Sequence, residues 1–142
     1  MLGWKSRKST DPKTTAADRG RWGEDQAARW LRAAGYRILG QRVRPDRRDE
    51  IDIVARQDDT LVFVEVKTRS GERFGRPLDS VDRHKRAVQS RAAMRYLRRL
   101  GWPPVNLRFD VIEVVGAPDA ETPPTIRHIE NAFPLDKRYL LP

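Results

Sequence analysis

The chain contains no cysteine, so it has neither a disulfide framework nor a thiolate zinc site. The lack of thiols fits a reducing compartment. Only two histidines are present, His84 and His128, and they have neither the spacing nor the neighbours of a metal site. We expect both histidines on the protein surface.

Long apolar runs are also missing. No stretch approaches the roughly 20 apolar residues that a membrane-spanning helix needs. Residues 1–19 are polar and lack the apolar centre of a signal peptide. These absences predict a soluble, cytoplasmic protein without a membrane partner.

What the chain has in excess is positive charge. Its formal net charge is +9 over 142 residues, and the surplus of basic residues lies within 1–115. Such a surface favours a polyanion such as nucleic acid, or an anionic membrane. The alternative is a basic, soluble surface with no specific partner.

The hydrophobic pattern predicts a single α/β domain in the order α-β-β-β-α-β, with a further edge strand at the end. We expect a disordered basic tail over 1–18, the domain over 19–115, and a Pro-rich loop with a C-terminal edge strand over 116–142. The predicted helices cover 18–34 and 80–100, and the predicted strands 36–44, 49–55, 61–67, 107–115 and 126–133. Consecutive strands favour antiparallel hairpins, and the second helix allows one parallel pairing. The expected architecture is a mixed sheet flanked by helices.

The strand predicted at 61–67 alternates sharply. Its valines share one face, while Phe63, Glu65 and Lys67 share the other. Glu65 and Lys67 are therefore spaced roughly 6.6–7 Å apart along the strand. Charged groups on such an apolar strand are costly to bury unless they are paired or bind a metal.

The preceding strand carries acids as well. Alternation predicts that Ile51 and Ile53 share one face and that Glu50 and Asp52 point the opposite way. In a hairpin Asp52 can lie opposite Glu65, at about 4.5–5.5 Å between Cβ atoms. The alternative is an exposed sheet face with ordinary cross-strand charge pairs.

A third carboxylate comes from the first predicted helix. Glu24 precedes Ala27, Ala28 and Leu31 at helical spacing, which places it on the buried stripe. We expect this helix to cover the sheet face that carries Phe63. The alternative is an acid in the first turn, stabilised by the helix N-terminus.

Two or three carboxylates are ligands that suit hard cations such as Mg²⁺ or Mn²⁺. A protonated lysine cannot bind the metal, but Lys67 could hold a scissile phosphate or the attacking water. Burial and a nearby metal could also lower the pKa of Lys67 enough for it to act as a base. The pattern favours metal-dependent phosphodiester chemistry.

Several blocks of the chain resemble the YraN-like family of small bacterial proteins. Glu24, Asp52 and Glu65-Val66-Lys67 also match the helix-Glu, strand-Asp and Glu-x-Lys pattern of the restriction-endonuclease-like, or PD-(D/E)XK, nuclease superfamily. The YraN-like blocks are Gly20–Glu24, Gly35–Leu39, Glu50–Asp52, Val62–Lys67, Phe74–Pro77, Lys85 and Arg108–Ile112. The chain is more distantly similar to archaeal Holliday-junction resolvases.

This resemblance implies a restriction-endonuclease-like fold and an endonuclease that acts on DNA rather than RNA, with branched or repair intermediates as possible substrates. It implies catalytic roles for Glu24, Asp52, Glu65 and Lys67, the three acids being the metal ligands. The family usually has glycine where this chain has Asp49, which adds an acid near the site. Glu50 therefore stays open as an alternative to Asp52, although the resemblance favours Asp52.

Basic residues outside this group are expected to contact the nucleic acid backbone. They are Arg47, Arg69, Arg76 and Lys85. Lys85 borders the apolar stripe of the second helix and could reach the site. The rival function is a non-catalytic nucleic-acid-binding or partner-docking protein that keeps the fold. The sequence also leaves a homodimer open.

Overall fold

A computed structural model describes residues 14–71 and 82–139. The elements are α1 (Ala16–Ala33), β1 (Arg37–Val43), β2 (Ile51–Gln57), β3 (Thr60–Arg69), α2 (Arg83–Arg99), β4 (Asn106–Val115), β5 (Thr125–Phe133) and a short 3-10 helix (Lys137–Tyr139). The predicted element order and the mixed α/β class are confirmed. The expectations for 1–13, and for the basic loop and helix start within 72–81, lie outside the described residues.

The five strands form one sheet in which spatial order follows chain order, β1-β2-β3-β4-β5. Three neighbouring pairs are antiparallel, and β3 with β4 is the parallel pair. The parallel pair follows from α2, which carries the chain back to the starting end of β3 before β4 begins. The expected hairpins, the single parallel pairing and the last edge strand are therefore present.

Helix α1 begins earlier than the pattern predicted. The Thr15 hydroxyl accepts a hydrogen bond from the Asp18 amide, and the Asp18 carboxylate accepts one from the Thr15 amide, both at 3.1 Å. This capping box starts the helix at Ala16. The assignment of residues 16–18 to a disordered tail was therefore wrong, because the reciprocal cap starts the helix before its apolar stripe begins.

The two helices cover opposite faces of the sheet. Small and aliphatic residues of α1 pack against Val62 and Val64, whereas those of α2 pack against Phe63. The alternation predicted for β3 is confirmed, but the expectation that the first helix covers the Phe63 face was wrong. Helical spacing shows which stripe is apolar, and it does not show which side of the sheet receives it. Within the described residues, no helix is long and apolar enough to cross a bilayer.

Strand β2 leaves its partner β3 before β3 ends. Their pairing stops at Ile53 and Val64, while β3 continues beside β4 as far as Arg69. Beyond this point Ile51 joins the core under α2, whereas Ile53 belongs to the core under α1. The prediction that these isoleucines share a face was wrong, because strict alternation breaks at Asp52. The divergence opens a notch in the sheet.

Helix α1 approaches β3 closely at Gly23. A Cβ at Gly23 would overlap the Thr68 hydroxyl and lie 3.0 Å from Thr68 Cβ, whereas a Cβ at Gly20 would meet nothing within 4 Å. We expect Gly23→Ala to lower the free energy of unfolding by about 1–3 kcal/mol through overpacking. Gly20→Ala should raise it by about 0.5–1 kcal/mol through helix propensity. Urea unfolding of both variants checks the contrast, and shifts in the same direction would contradict it.

Candidate metal centre

Three acids converge in the notch between β2 and β3. Glu24 comes from α1, Glu50 from the residue before β2, and Asp52 from β2 itself. One carboxylate oxygen of each lies within 4.8 Å of the others. Carboxylate ligands suit hard cations, and three of them at this separation could share one ion. The structure therefore brings Glu24 and Asp52 together and adds Glu50, which the strand pattern had left open.

Asp52 lies where the regular ladder between β2 and β3 stops. Its Oδ2 accepts a hydrogen bond from the Val66 amide at 2.8 Å, so that the side chain replaces the missing strand partner. Burial and the nearby Glu65 carboxylate together raise the pKa of Asp52 to about 8, with burial as the larger cause. Asp52 forms no salt bridge with any residue in the described ranges.

Glu24 forms an ion pair with Arg42 of β1. Its Oε2 lies 2.6 Å from Arg42 Nε, yet this buried oxygen has no well-directed hydrogen bond from the described residues. Burial raises the pKa of Glu24, and the Arg42 charge opposes that rise. Arg42 itself has φ 48°, a left-handed conformation that costs an L-residue roughly 1–2 kcal/mol. A buried carboxylate oxygen without a directed donor is suited to binding a metal.

Glu65 is held from both sides. Its Oε1 lies 3.2 Å from Lys67 Nζ, and its Oε2 accepts a hydrogen bond from Gln89 Nε2 at 3.1 Å. Gln89 is a buried residue of α2, so the second helix also positions the site. Sequence reasoning missed Gln89. Its signal is a polar residue one helical turn after Lys85, on the side of α2 that carries the buried residues.

Lys67 contacts both the Glu65 carboxylate and Lys85. Burial lowers its pKa, but hydrogen bonding to Lys85 and the charge of Glu65 outweigh burial, and the pKa is raised overall. The pKa of Lys85 is lowered by its hydrogen bond with Lys67 and by burial. A role for Lys67 as a base was predicted from burial together with a nearby metal, and it stays a prediction, because the raised pKa describes the protein without a metal. The prediction that Lys85 reaches the site from the second helix agrees with this contact.

Asp49 does not join the acidic cluster. Its carboxylate accepts two hydrogen bonds from Arg91 of α2, from Nε at 2.8 Å and from Nη2 at 2.7 Å. These hydrogen bonds outweigh burial and lower the pKa of Asp49. Arg95 lies 3.7 Å away and also pairs with Asp46. The acid expected near the site instead ties the β1–β2 connection to α2.

The predicted nucleic-acid contacts are dispersed. Arg47 is exposed in the β1–β2 connection, Arg69 ends β3, and Lys85 lies in the first turn of α2 beside Lys67. Arg76 lies outside the described residues. Among the described residues of this group, only Lys85 and Arg69 belong to elements that also carry site residues. For these positions a role in binding nucleic acid stays a prediction.

The fold and this carboxylate centre together define a mixed α/β domain with an acidic notch at the edge of a parallel strand pair. A family model described as "Uncharacterised protein family UPF0102" matches residues 23–114. A UPF0102 protein of Symbiobacterium thermophilum is 47% identical over 114 residues, which cover 80% of this chain and 94% of that protein. A UPF0102 protein of Geobacter sulfurreducens is 48% identical over 114 residues, covering 80% and 86%. The chain belongs to the UPF0102 family, which confirms the YraN-like resemblance.

Proposed function

We propose that this protein is a metal-dependent endonuclease of the restriction-endonuclease-like superfamily, acting on DNA in preference to RNA. The observation that carries the proposal is the convergence of Glu24, Glu50 and Asp52 within 4.8 Å, beside the Glu65–Lys67 pair. The excess of basic residues in the same domain supports a polyanionic substrate. Branched or repair intermediates remain the proposed substrates.

The residues divide into two roles. Glu24, Glu50 and Asp52 would hold Mg²⁺ or Mn²⁺, and Glu65, which lies outside that group but close enough to Asp52 to raise its pKa, is proposed as a further ligand. Such a cation, when bound, supplies Lewis-acid stabilisation of the charge that develops on the reacting phosphate. Lys67 is placed by Glu65 to neutralise a phosphate oxygen and to orient the attacking water. Because its pKa is raised in the metal-free protein, we propose that Lys67 meets the phosphate as a cation.

Metal uptake gives the first test. We expect Mn²⁺ to bind the wild-type protein in titration calorimetry, and we expect Glu24→Gln and Glu65→Gln to weaken that binding by at least tenfold, because each removes a charged ligand. Asp25→Asn is the matched control, since Asp25 is the exposed neighbour of Glu24 on α1 and the change in net charge is the same. Equal losses in Asp25→Asn and Glu24→Gln would mean that only overall charge matters.

Cleavage gives the second test. Purified protein with Mn²⁺ or Mg²⁺ is offered linear, flapped and four-way DNA and the corresponding RNA, with Lys67→Ala as the inactive control. Cleavage that depends on Lys67 supports the proposal. Absence of cleavage on every substrate, or cleavage that Lys67→Ala leaves unchanged, rejects it. Nucleic acid binding without carboxylate-dependent metal uptake would instead favour the non-catalytic binding or docking protein.

A further inference from the structure

A second cavity adjoins the acidic notch at the carboxyl ends of the parallel strands β3 and β4. Its volume is about 700 Å³, against about 370 Å³ for the cavity that contains Glu24, Asp52 and Glu65. Arg19 and Thr68 line both cavities, so the two cavities are neighbours. A strand bound at the acids has the larger cavity beside it.

Arg69 of β3 lines this larger cavity. It follows Lys67 by two residues on the same face of the strand, so their Cα atoms are roughly 6.6–7 Å apart. This spacing is comparable to the separation of successive phosphates along one nucleic acid strand. Arg19 of α1 also lines the cavity, and Asp119 is the acid on its far rim. Lys67 and Arg69 thus leave the strand at points whose spacing is comparable to that of successive phosphates, although each pairs with a different carboxylate.

A buried carboxylate holds Arg69 in place. Glu113 of β4 is level with Lys67 in the parallel register, and its side chain is only 3% exposed. Its Oε2 lies 3.4 Å from Arg69 Nε, and its Oε1 lies 3.8 Å from Arg127 Nη1. A carboxylate this deeply buried is costly without cations nearby. Arg69 and Glu113 form an ion pair without a directed hydrogen bond between Nε and Oε2, and this ion pair holds Arg69 beside Glu113 at the end of β3.

We propose that this cavity binds the phosphate next to the scissile one, with Arg69 as its anchoring cation and Glu113 as the residue that positions Arg69. This assignment rests on the proposed nuclease function, and it adds the direction in which the substrate strand lies on the protein. The substrate strand runs from the acidic notch past Thr68 and into the larger cavity. Arginine suits this role because its planar guanidinium matches a phosphate in a fixed geometry.

Binding to a fluorescent 20-nucleotide oligothymidine, with Ca²⁺ to avoid turnover, tests the anchor without requiring cleavage. We expect Arg69→Gln to weaken binding and to reduce the slope of log affinity against log salt by about 0.7, the contribution of one phosphate on a single strand. Arg69→Lys should keep the salt slope and lose part of the affinity. Arg127→Gln is the matched control, because Arg127 contacts Glu113 but does not line the cavity.

Glu113→Gln distinguishes a role of Glu113 in positioning Arg69 from a simple effect of its negative charge on DNA binding. Removing an acid from a DNA-binding surface should strengthen binding if only net charge matters. We expect weaker binding instead, because Arg69 loses the carboxylate that fixes it. Stronger binding by Glu113→Gln, or an unchanged salt slope in a folded Arg69→Gln protein, would overturn the assignment. Circular dichroism of each variant verifies folding, and Arg69→Lys carries the test if Arg69→Gln does not fold.

Cleavage, once its position on a substrate is mapped, tests which phosphate is bound. A neutral methylphosphonate replaces the phosphate next to the cleaved one, first on one side and then on the other. On one of the two sides it should slow the wild-type enzyme. There it should have little further effect on Arg69→Gln, because both changes remove the same contact. Independent, additive losses would overturn the assignment while leaving the nuclease function intact. If no substrate is cleaved but the oligothymidine results hold, the proposed catalysis fails and the phosphate site stands.

Discussion

Asp52→Asn is expected to abolish metal-dependent cleavage and, at the same time, to stabilise the metal-free protein. Asp52 is the half-buried acid of the notch, close to Glu24 and Glu65. Loss of a charged ligand should reduce the cleavage rate by roughly 10²–10⁴-fold, the range seen when a group acting in the transition state is removed. Asparagine retains an oxygen that can accept the hydrogen bond from the Val66 amide, so the fold should persist.

The stabilisation has a definite pH dependence. The pKa of Asp52 is raised in the folded state, first by burial and then by Glu65, to about 8. The folded protein therefore holds this proton more tightly than the unfolded chain, and the free energy of unfolding falls as the pH rises from about 4 towards 8. Asp52→Asn removes this dependence, so its advantage should be small at pH 4 and greatest at pH 8 or above.

Thermal unfolding with and without Mn²⁺ measures both effects. In wild type we expect Mn²⁺ to raise the midpoint, because an ion that binds only the folded state stabilises it. In Asp52→Asn the metal-free midpoint should be higher and the Mn²⁺ response smaller. Asp25→Asn serves again as the control for net charge. A metal-free Asp52→Asn protein that is less stable than wild type at pH 8 would contradict the role assigned to this carboxylate.

Asp110→Ala is expected to cause the largest loss of stability. Asp110 is fully buried in β4, and its carboxylate interacts with Arg108 through two hydrogen bonds of 2.8 Å, with His128 Nε2 at 2.7 Å and with the Asn131 amide at 2.9 Å. Removing it leaves a largely buried guanidinium without its partner, which costs about 3–5 kcal/mol. Against a total stability of about 5–15 kcal/mol, this is a large fraction.

The same network predicts the response to acid. Burial alone raises the pKa of Asp110, but the hydrogen bonds from His128, Arg108 and the Asn131 amide outweigh it and lower the pKa. The stabilisation is therefore present above the unfolded value of about 3.9 and is lost as the pH falls through the lower folded value. Wild type should lose stability steeply in this range, whereas Asp110→Ala should show a flatter profile.

Urea unfolding at pH 7 and at decreasing pH checks both statements. Asp136→Asn is the comparison, because Asp136 pairs with the exposed Arg138 and should lose far less. A double-mutant cycle of Arg108→Ala and Asp110→Ala should show a coupling above about 0.5 kcal/mol, since the two side chains share hydrogen bonds. Additive losses from the two substitutions would show that the network is not the source of the stability.

This network also marks a limit of sequence reasoning. His128 was expected on the surface, yet its side chain is only 9% exposed and contacts Asp110 and the ring of Tyr36. Asp110 and His128 are far apart in the chain and meet because β5 pairs with β4. Local patterns carry no information on such a partner. The isolated histidine therefore gave no sign of its burial.

Some residues of the candidate site could likewise be predicted from the local sequence, and others could not. Glu65 and Lys67 were predictable because their strand alternates within a few residues, and the family resemblance pointed to Glu24 and Asp52. The contact with Gln89 and the removal of Asp49 from the site depend on where α2 packs. Neither follows from the local sequence, because both are contacts between elements distant in the chain.

The sequence by itself determined the element order, the faces of β3 and the acids available for a metal, since periodicity and residue type are local properties. Only the tertiary structure decided which helix covers which face, and where β2 parts from β3 to open the notch. These features depend on strand register and on the packing of distant elements, which no short stretch of sequence contains. The notch exists because β3 outlasts its partner, and the acids meet there because α1 packs closely against β3 at Gly23.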